Sequence, residues 1–179
     1  MRTLTALFAV GVFALLVQGT LATLLEAPWC PDLGLLVVIA IGLRWRQPAT
    51  GLVLAAGLGF AADLLSGSLF GQHALLRIVV FSSAFLAGRQ LNLRGSLPLV
   101  VFAISVSFLY GVAVYLVSSF FVGAGDPGLA WALDGVKHAL VNGVFATGVF
   151  SIVTRVAVWA GDDDVSTRTL RIDPRRRTI

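Results

Sequence analysis

Apolar and polar positions divide the chain into six greasy runs joined by short polar connections. The runs are Leu4 to Leu25, Leu33 to Leu43, Ala49 to Leu65, His73 to Gly88, Leu97 to Val122, and about Asp134 to Trp159. Within each run the apolar residues are continuous rather than alternating, which predicts membrane helices and not the strands of a barrel. The second run lies between Asp32 and Arg44 and is short. Eleven residues of helix reach only about 17 Å, against a hydrocarbon core of about 30 Å. A tilted, partly buried or re-entrant helix is expected there.

Composition agrees with this reading. The chain has 179 residues, 58% of them hydrophobic and 12% charged, where a soluble domain carries about 25% charged residues. The expected fold class is an all-α integral membrane protein of six transmembrane helices, with one transmembrane domain over 1–160. The opening "MRTLTALFAVGVFALLVQGTLATLLE" resembles a signal peptide, but its apolar run is long enough to span, and it is read as a retained first helix. From Gly161 the sequence "GDDDVSTRTLRIDPRRRTI" loses all apolar periodicity. Residues 161–179 are expected to form a basic, disordered cytoplasmic tail.

Charge then orients the bundle. Arg2, Arg44, Arg46, Arg89, Arg94, Arg155 and the tail arginines fall on alternate connections, whereas Glu26, Asp32, Asp126 and Asp134 fall on the others. Only Arg77 and Lys137, of thirteen Lys and Arg residues, depart from this division. The positive-inside rule places both termini in the cytoplasm. Trp29 and Trp131 fall at outer boundaries and Trp45 and Trp159 at inner ones, the places of an aromatic belt. The net charge of +4 is therefore orienting charge, with membrane lipid and not nucleic acid as its partner. The longest outer connection surrounds Asp126-Pro127, which suits an N-cap followed by a first helical position.

Few ionisable residues remain inside the apolar runs. On the third helix Gly51, Ala55, Gly59 and Asp63 recur every four residues, a small-residue face that lets a neighbouring helix approach. His73 and Arg77 open the fourth helix, and Asp134, Lys137, His138 and Asn142 open the sixth. An ionised side chain left in hydrocarbon costs about 2.5 to 3.5 kcal/mol. Mutual neutralisation is the cheaper arrangement: Asp63 with Arg77, and Asp134 with Lys137 or His138. These residues are expected to form a polar cluster between helices near the outer surface. It serves either as glue or as the lining of a cavity for a ligand or lipid headgroup.

Catalytic signatures are missing. Asp63 and His73 have no credible nucleophile to complete a triad, and no phosphate loop, zinc signature or dinucleotide fingerprint occurs. A single cysteine, Cys30, excludes an internal disulfide. No enzyme, metal or cofactor is expected.

The stretch "PDLGLLVVIAIGLRW" from Pro31, followed by "GLVLAAGLGFAADLLSGSLFGQHALLRIVVFSSAFLAGR" to Arg89, resembles the bacterial rod shape-determining MreD family. The positions that carry the resemblance are Pro31, Asp32, Gly59, Asp63, Gly67 and Gly71, followed by the polar start of the next helix at His73. They cover about a third of the chain, and the fifth and sixth runs are generic.

The resemblance implies a fold like the substrate-binding membrane subunits of energy-coupling-factor transporters. It also implies a non-enzymatic scaffold of the cell-wall elongation machinery in the bacterial inner membrane. The implied partner is the single-span protein MreC. Through it come a class-B penicillin-binding protein, the peptidoglycan polymerase RodA and the MreB filament. The alternative is a small-molecule-binding subunit of a transporter with the same architecture. Such a subunit commonly meets its coupling module through alanines spaced by four on the first helix, and Ala6, Ala9, Gly11 and Ala14 do not make that repeat.

Overall fold

A computed structural model describes residues 2–45, 47–67, 69–90, 95–123 and 128–161. The tail after Gly161 and the Asp126-Pro127 cap lie outside these described residues. Six helices follow in order: α1 (Arg2–Leu24), α2 (Leu33–Arg44), α3 (Pro48–Ser66), α4 (Gln72–Gln90), α5 (Ser96–Val122) and α6 (Gly128–Trp159). No strand occurs among the described residues. Four of the helices, α1, α3, α5 and α6, are long and apolar enough to cross a membrane. α4 has 19 residues, but Gln72, His73 and Arg77 make it more polar than those four.

Helix boundaries follow the apolar runs to within about two residues, except at the start of α6. That helix begins at Gly128 rather than near Asp134. The sequence "LAWAL" continues the helix by nearly two turns, with Trp131 half-buried and its ring 4.8 Å from that of Tyr115 on α5. From Trp131 to Trp159 the helix rises about 42 Å, the thickness of a bilayer with its headgroup layers. Local signals set several ends. Pro48 occupies the first turn of α3, and Gly67 and Gly123 take left-handed conformations at the C-caps of α3 and α5.

The short helix α2 is the centre of the bundle. Every residue from Gly34 to Gly42 is buried, and Leu36, Val38 and Ile39 have no exposed surface. Apolar on all sides, it has no face to show to water, and it touches all five other helices. At 12 residues it is about 18 Å long, well short of the helices around it, and burial gives way only at its last residue, the exposed Arg44. The expected short, buried second helix is thus the core element around which the longer helices stand.

Backbones meet closely where side chains are absent. A Cβ added at Gly59 would fall 2.6 Å from the His73 carbonyl oxygen and against the Ala74 backbone. One at Gly88 would strike the Leu43 carbonyl. These contacts lock α3 to α4 and α4 to α2. The small stripe Gly51–Ala55–Gly59 therefore receives α4, an internal neighbour, with the Phe81 ring lying over Gly51.

Candidate functional site

A helix that starts inside a bundle has its first backbone amides out of reach of water, and each needs an acceptor. α2 obtains them from three directions. Asp32 caps its own helix, its Oδ1 accepting from the Leu35 amide at 2.8 Å. The Asp32 amide donates to Asn142 Oδ1 of α6 at 2.8 Å. The Gly34 amide donates to Gln18 Oε1 of α1 at 3.2 Å.

The start of α4 is treated in the same way by a side chain from α3. Asp63, with no exposed surface, accepts from the amides of Gly71 at 3.0 Å, His73 at 2.8 Å and Ala74 at 3.3 Å. A carboxylate is well placed at the positive end of a helix dipole. Gly71 reaches this bond with φ of 88°, a left-handed conformation that favours glycine.

Arg77 joins the two caps. It is 1% exposed. Its Nη2 donates to Asp32 Oδ1 at 3.3 Å and its Nη1 to the Leu58 carbonyl of α3 at 2.9 Å. Its Nε is buried without a hydrogen-bond partner. Gly34 leaves the space for the guanidinium, since a Cβ there would lie 2.9 Å from Nη2. Three further bonds tie α4 to α5. Gln72 Nε2 donates to the Val114 carbonyl at 3.0 Å and to Ser118 Oγ at 3.1 Å. His73 Nδ1 lies 2.6 Å from the Tyr110 hydroxyl, with the two rings stacked.

The expected partners are therefore rearranged. Asp63 and Arg77 lie at the same end of the bundle, but the carboxylate bonded to Arg77 is Asp32, while Asp63 serves the amides of α4. On α6 the residues divide. Asn142 is fully buried and reaches Asp32, and its Nδ2 lies 3.3 Å from Nε2 of the half-buried His138. Asp134 and Lys137 pair with each other at 2.8 Å with about half of each side chain exposed. That pair is exposed and does not belong to the interior cluster; Asp134 lies about two turns before Asn142 along α6.

Of the six residues that carry the family resemblance, four take part in this joint. Pro31 is buried beside the Asp32 cap, Asp32 holds Arg77, Gly59 admits α4, and Asp63 caps it. Gly67 and Gly71 shape the turn between α3 and α4 through their positive φ. Sequence reasoning missed Gln18, Gln72, Tyr110 and Ser118. It also missed the role of Asp32 as the ion partner, although an Asp just before an apolar run is an N-cap signal.

Chemically, the arrangement binds helices to one another. Its carboxylates are taken up by amides and a guanidinium, and its imidazole by a phenol. Among the described residues no group of three or more His, Cys, Asp or Glu could hold a metal ion. No family model, curated protein or solved structure matches this chain.

Proposed function

We propose that this chain is a non-enzymatic scaffold of the bacterial inner membrane, of the kind the MreD resemblance implies. In this reading it supports rod shape by gripping the transmembrane segment of an MreC-like protein. Through that protein it connects to a class-B penicillin-binding protein, RodA and the MreB filament. In this reading the termini face the cytoplasm, and the bundle takes the membrane-subunit architecture that the resemblance implies.

The observation that carries the reading is the use made of the polar residues. Asp32, Asp63, Arg77 and Asn142 spend their hydrogen bonds on helix ends and on one another. A rigid bundle presenting apolar helix faces is what a scaffold needs, and association in lipid then depends on packing against those faces. The rival transporter subunit needs an outward pocket whose polar groups remain available to a solute, and here the carboxylates of Asp32 and Asp63 are engaged by amides and a guanidinium.

One purification tests both. Extracted in mild detergent from a rod-shaped bacterium that carries it, the chain should bring down a single-span MreC-like protein, and its depletion should round the cells. A bound small solute with no such protein would reverse the choice.

A further inference from the structure

Among the described residues three buried side-chain polar atoms have no hydrogen-bond partner: Arg77 Nε on α4, and Ser107 Oγ and Ser119 Oγ on α5. The first two lie at one level. α4 and α5 run in opposite directions, and His73 meets Tyr110 across them at 2.6 Å. One turn further in from that pair stand Arg77 on α4 and Ser107 on α5, 1% and 2% exposed. The Tyr110 hydroxyl lies beside the Arg77 guanidinium. Ser119 stands about three turns away, towards the outer end of α5.

Ser107 also differs from the other serines inside helices. Ser82, Ser83, Ser105 and Ser151 each donate to the carbonyl four residues back, at 2.8 to 3.0 Å. Ser107 makes no such bond. Its hydroxyl proton and the Arg77 Nε–H are thus two donors at one level of the interior, in a setting where buried polar groups are normally paired. Neither satisfies the other. What both lack is a small acceptor with two lone pairs.

We infer that a single water molecule is bound between α4 and α5 at this level, its oxygen accepting from Arg77 Nε–H and from the Ser107 hydroxyl, and one of its protons donated to the Tyr110 oxygen. Tyr110 then donates to His73 Nδ1. Three hydrogen bonds to otherwise unsatisfied groups are what a buried water usually makes. Gly111, one turn from Ser107 on α5, leaves open space beside it, since a Cβ there would meet nothing within 4 Å. The water completes the donor set of Arg77, whose other nitrogens serve Asp32 and the Leu58 carbonyl. Through it the guanidinium that already joins α2 and α3 also reaches α5.

The test is nuclear magnetic resonance on the full chain in detergent micelles with 15N-labelled arginine. The Arg77 Nε–H signal is identified by its disappearance in Arg77→Lys. It should show an Overhauser cross-peak to water that persists when the pH is lowered to suppress base-catalysed exchange. Ser107→Ala removes one anchor of the water and should speed exchange of that proton about fivefold, the worth of one hydrogen bond. Ser107→Asn places a carboxamide oxygen where the water sits. It should abolish the cross-peak while the proton stays slow to exchange. Ser105→Ala, on the exposed side of α5, should change neither reading.

A cross-peak that vanishes at low pH would overturn the inference, because it would report exchange and not a bound molecule. A cross-peak and an exchange rate that ignore Ser107→Ala would equally overturn it, by placing the water away from Ser107. The alanine variant decides the matter even where the asparagine variant does not fold.

Discussion

Replacing Asp32 by Asn is the sharpest probe of the polar joint, because it removes charge while keeping shape. Asn is as good an N-cap as Asp, so the Leu35 amide keeps an acceptor. What changes is the partner of Arg77, whose side chain is 2% exposed against 13% for that of Asp32, with 3.3 Å between Nη2 and Oδ1. At an effective dielectric near 20, unit charges about 4 Å apart attract by roughly 4 kcal/mol. Removing one member of a buried pair costs about 3 to 5 kcal/mol. The residual access of Asp32 to the surface and the surviving bond from Arg77 to the Leu58 carbonyl put Asp32→Asn at the lower end, about 3 kcal/mol. Arg77→Met should cost a similar amount or more. The double variant should cost about 2 kcal/mol less than the sum, because the second change removes a group the first has already stranded. The assay is unfolding in mixed micelles of rising denaturing-detergent fraction, followed by tryptophan fluorescence. The matched cycle of Asp63→Asn with Arg77→Met should show a much weaker coupling. If Asp32 and Arg77 prove additive within about 0.5 kcal/mol, the buried ion pair contributes nothing and the joint described above is wrong. A stronger coupling through Asp63 would restore the partner first expected from the sequence.

Four further outcomes are expected. Gly59→Ala should destabilise by about 1 to 3 kcal/mol, as overpacking does, because its Cβ meets backbone of α4. Gly148→Ala, with nothing within 4 Å, should be neutral or stabilising by up to about 1 kcal/mol in the same unfolding assay. Lys137→Ala should change stability by less than about 1 kcal/mol, since its pair with Asp134 is half exposed; a larger loss would place the pair in the interior after all. Cys30, the single cysteine, should be labelled by a membrane-impermeant maleimide from the outer side of intact cells. Burial first and the Asp32 charge second push its thiol above the ordinary value, so less thiolate is present at any given pH below it. Its labelling should accordingly climb over a higher pH range than that of Glu26→Cys in a Cys30→Ser background.

The sequence made the helices legible because hydrocarbon forces apolar runs to be long and continuous, and both ends of five of the six helices follow from that alone. It also showed which end of the bundle carries the polar residues, since the spacing of Asp63, Arg77 and Asn142 fixes their level along each helix. The interior partners were not legible for a geometric reason. Asp32 sits at the first step of a helix apolar on every side, so no amphipathic pattern gives its rotational phase, and nothing along the chain says that its carboxylate looks towards α4. Asp63 and Arg77 were paired by default, as the nearest opposite charges in sequence. A second acceptor role, capping an incoming helix from a different one, leaves no periodic mark. Gln18 and Gln72 were overlooked because an amide in an apolar run carries no charge to flag the cost of burying it, although a buried amide needs partners too.

These misplacements have one physical root in the length of α2. A spanning helix ends near headgroups and water, where its orphan amides and carbonyls find partners without help. A helix of 12 residues starts within the bundle, so its N-terminal amides must be met by side chains from α1 and α6. Those side chains then fix the depth at which α2 sits. Arg77 transmits that depth to α3 and α4 by holding Asp32 and the Leu58 carbonyl together, and Asp63 sets where α4 begins. If α2 were extended by one turn after Leu43, the joint at its N-terminal end would stay intact, and such a variant should keep the coupling between Asp32 and Arg77. Loss of that coupling would mean that the register of the whole central helix, and not the capping of its first turn, sets the joint.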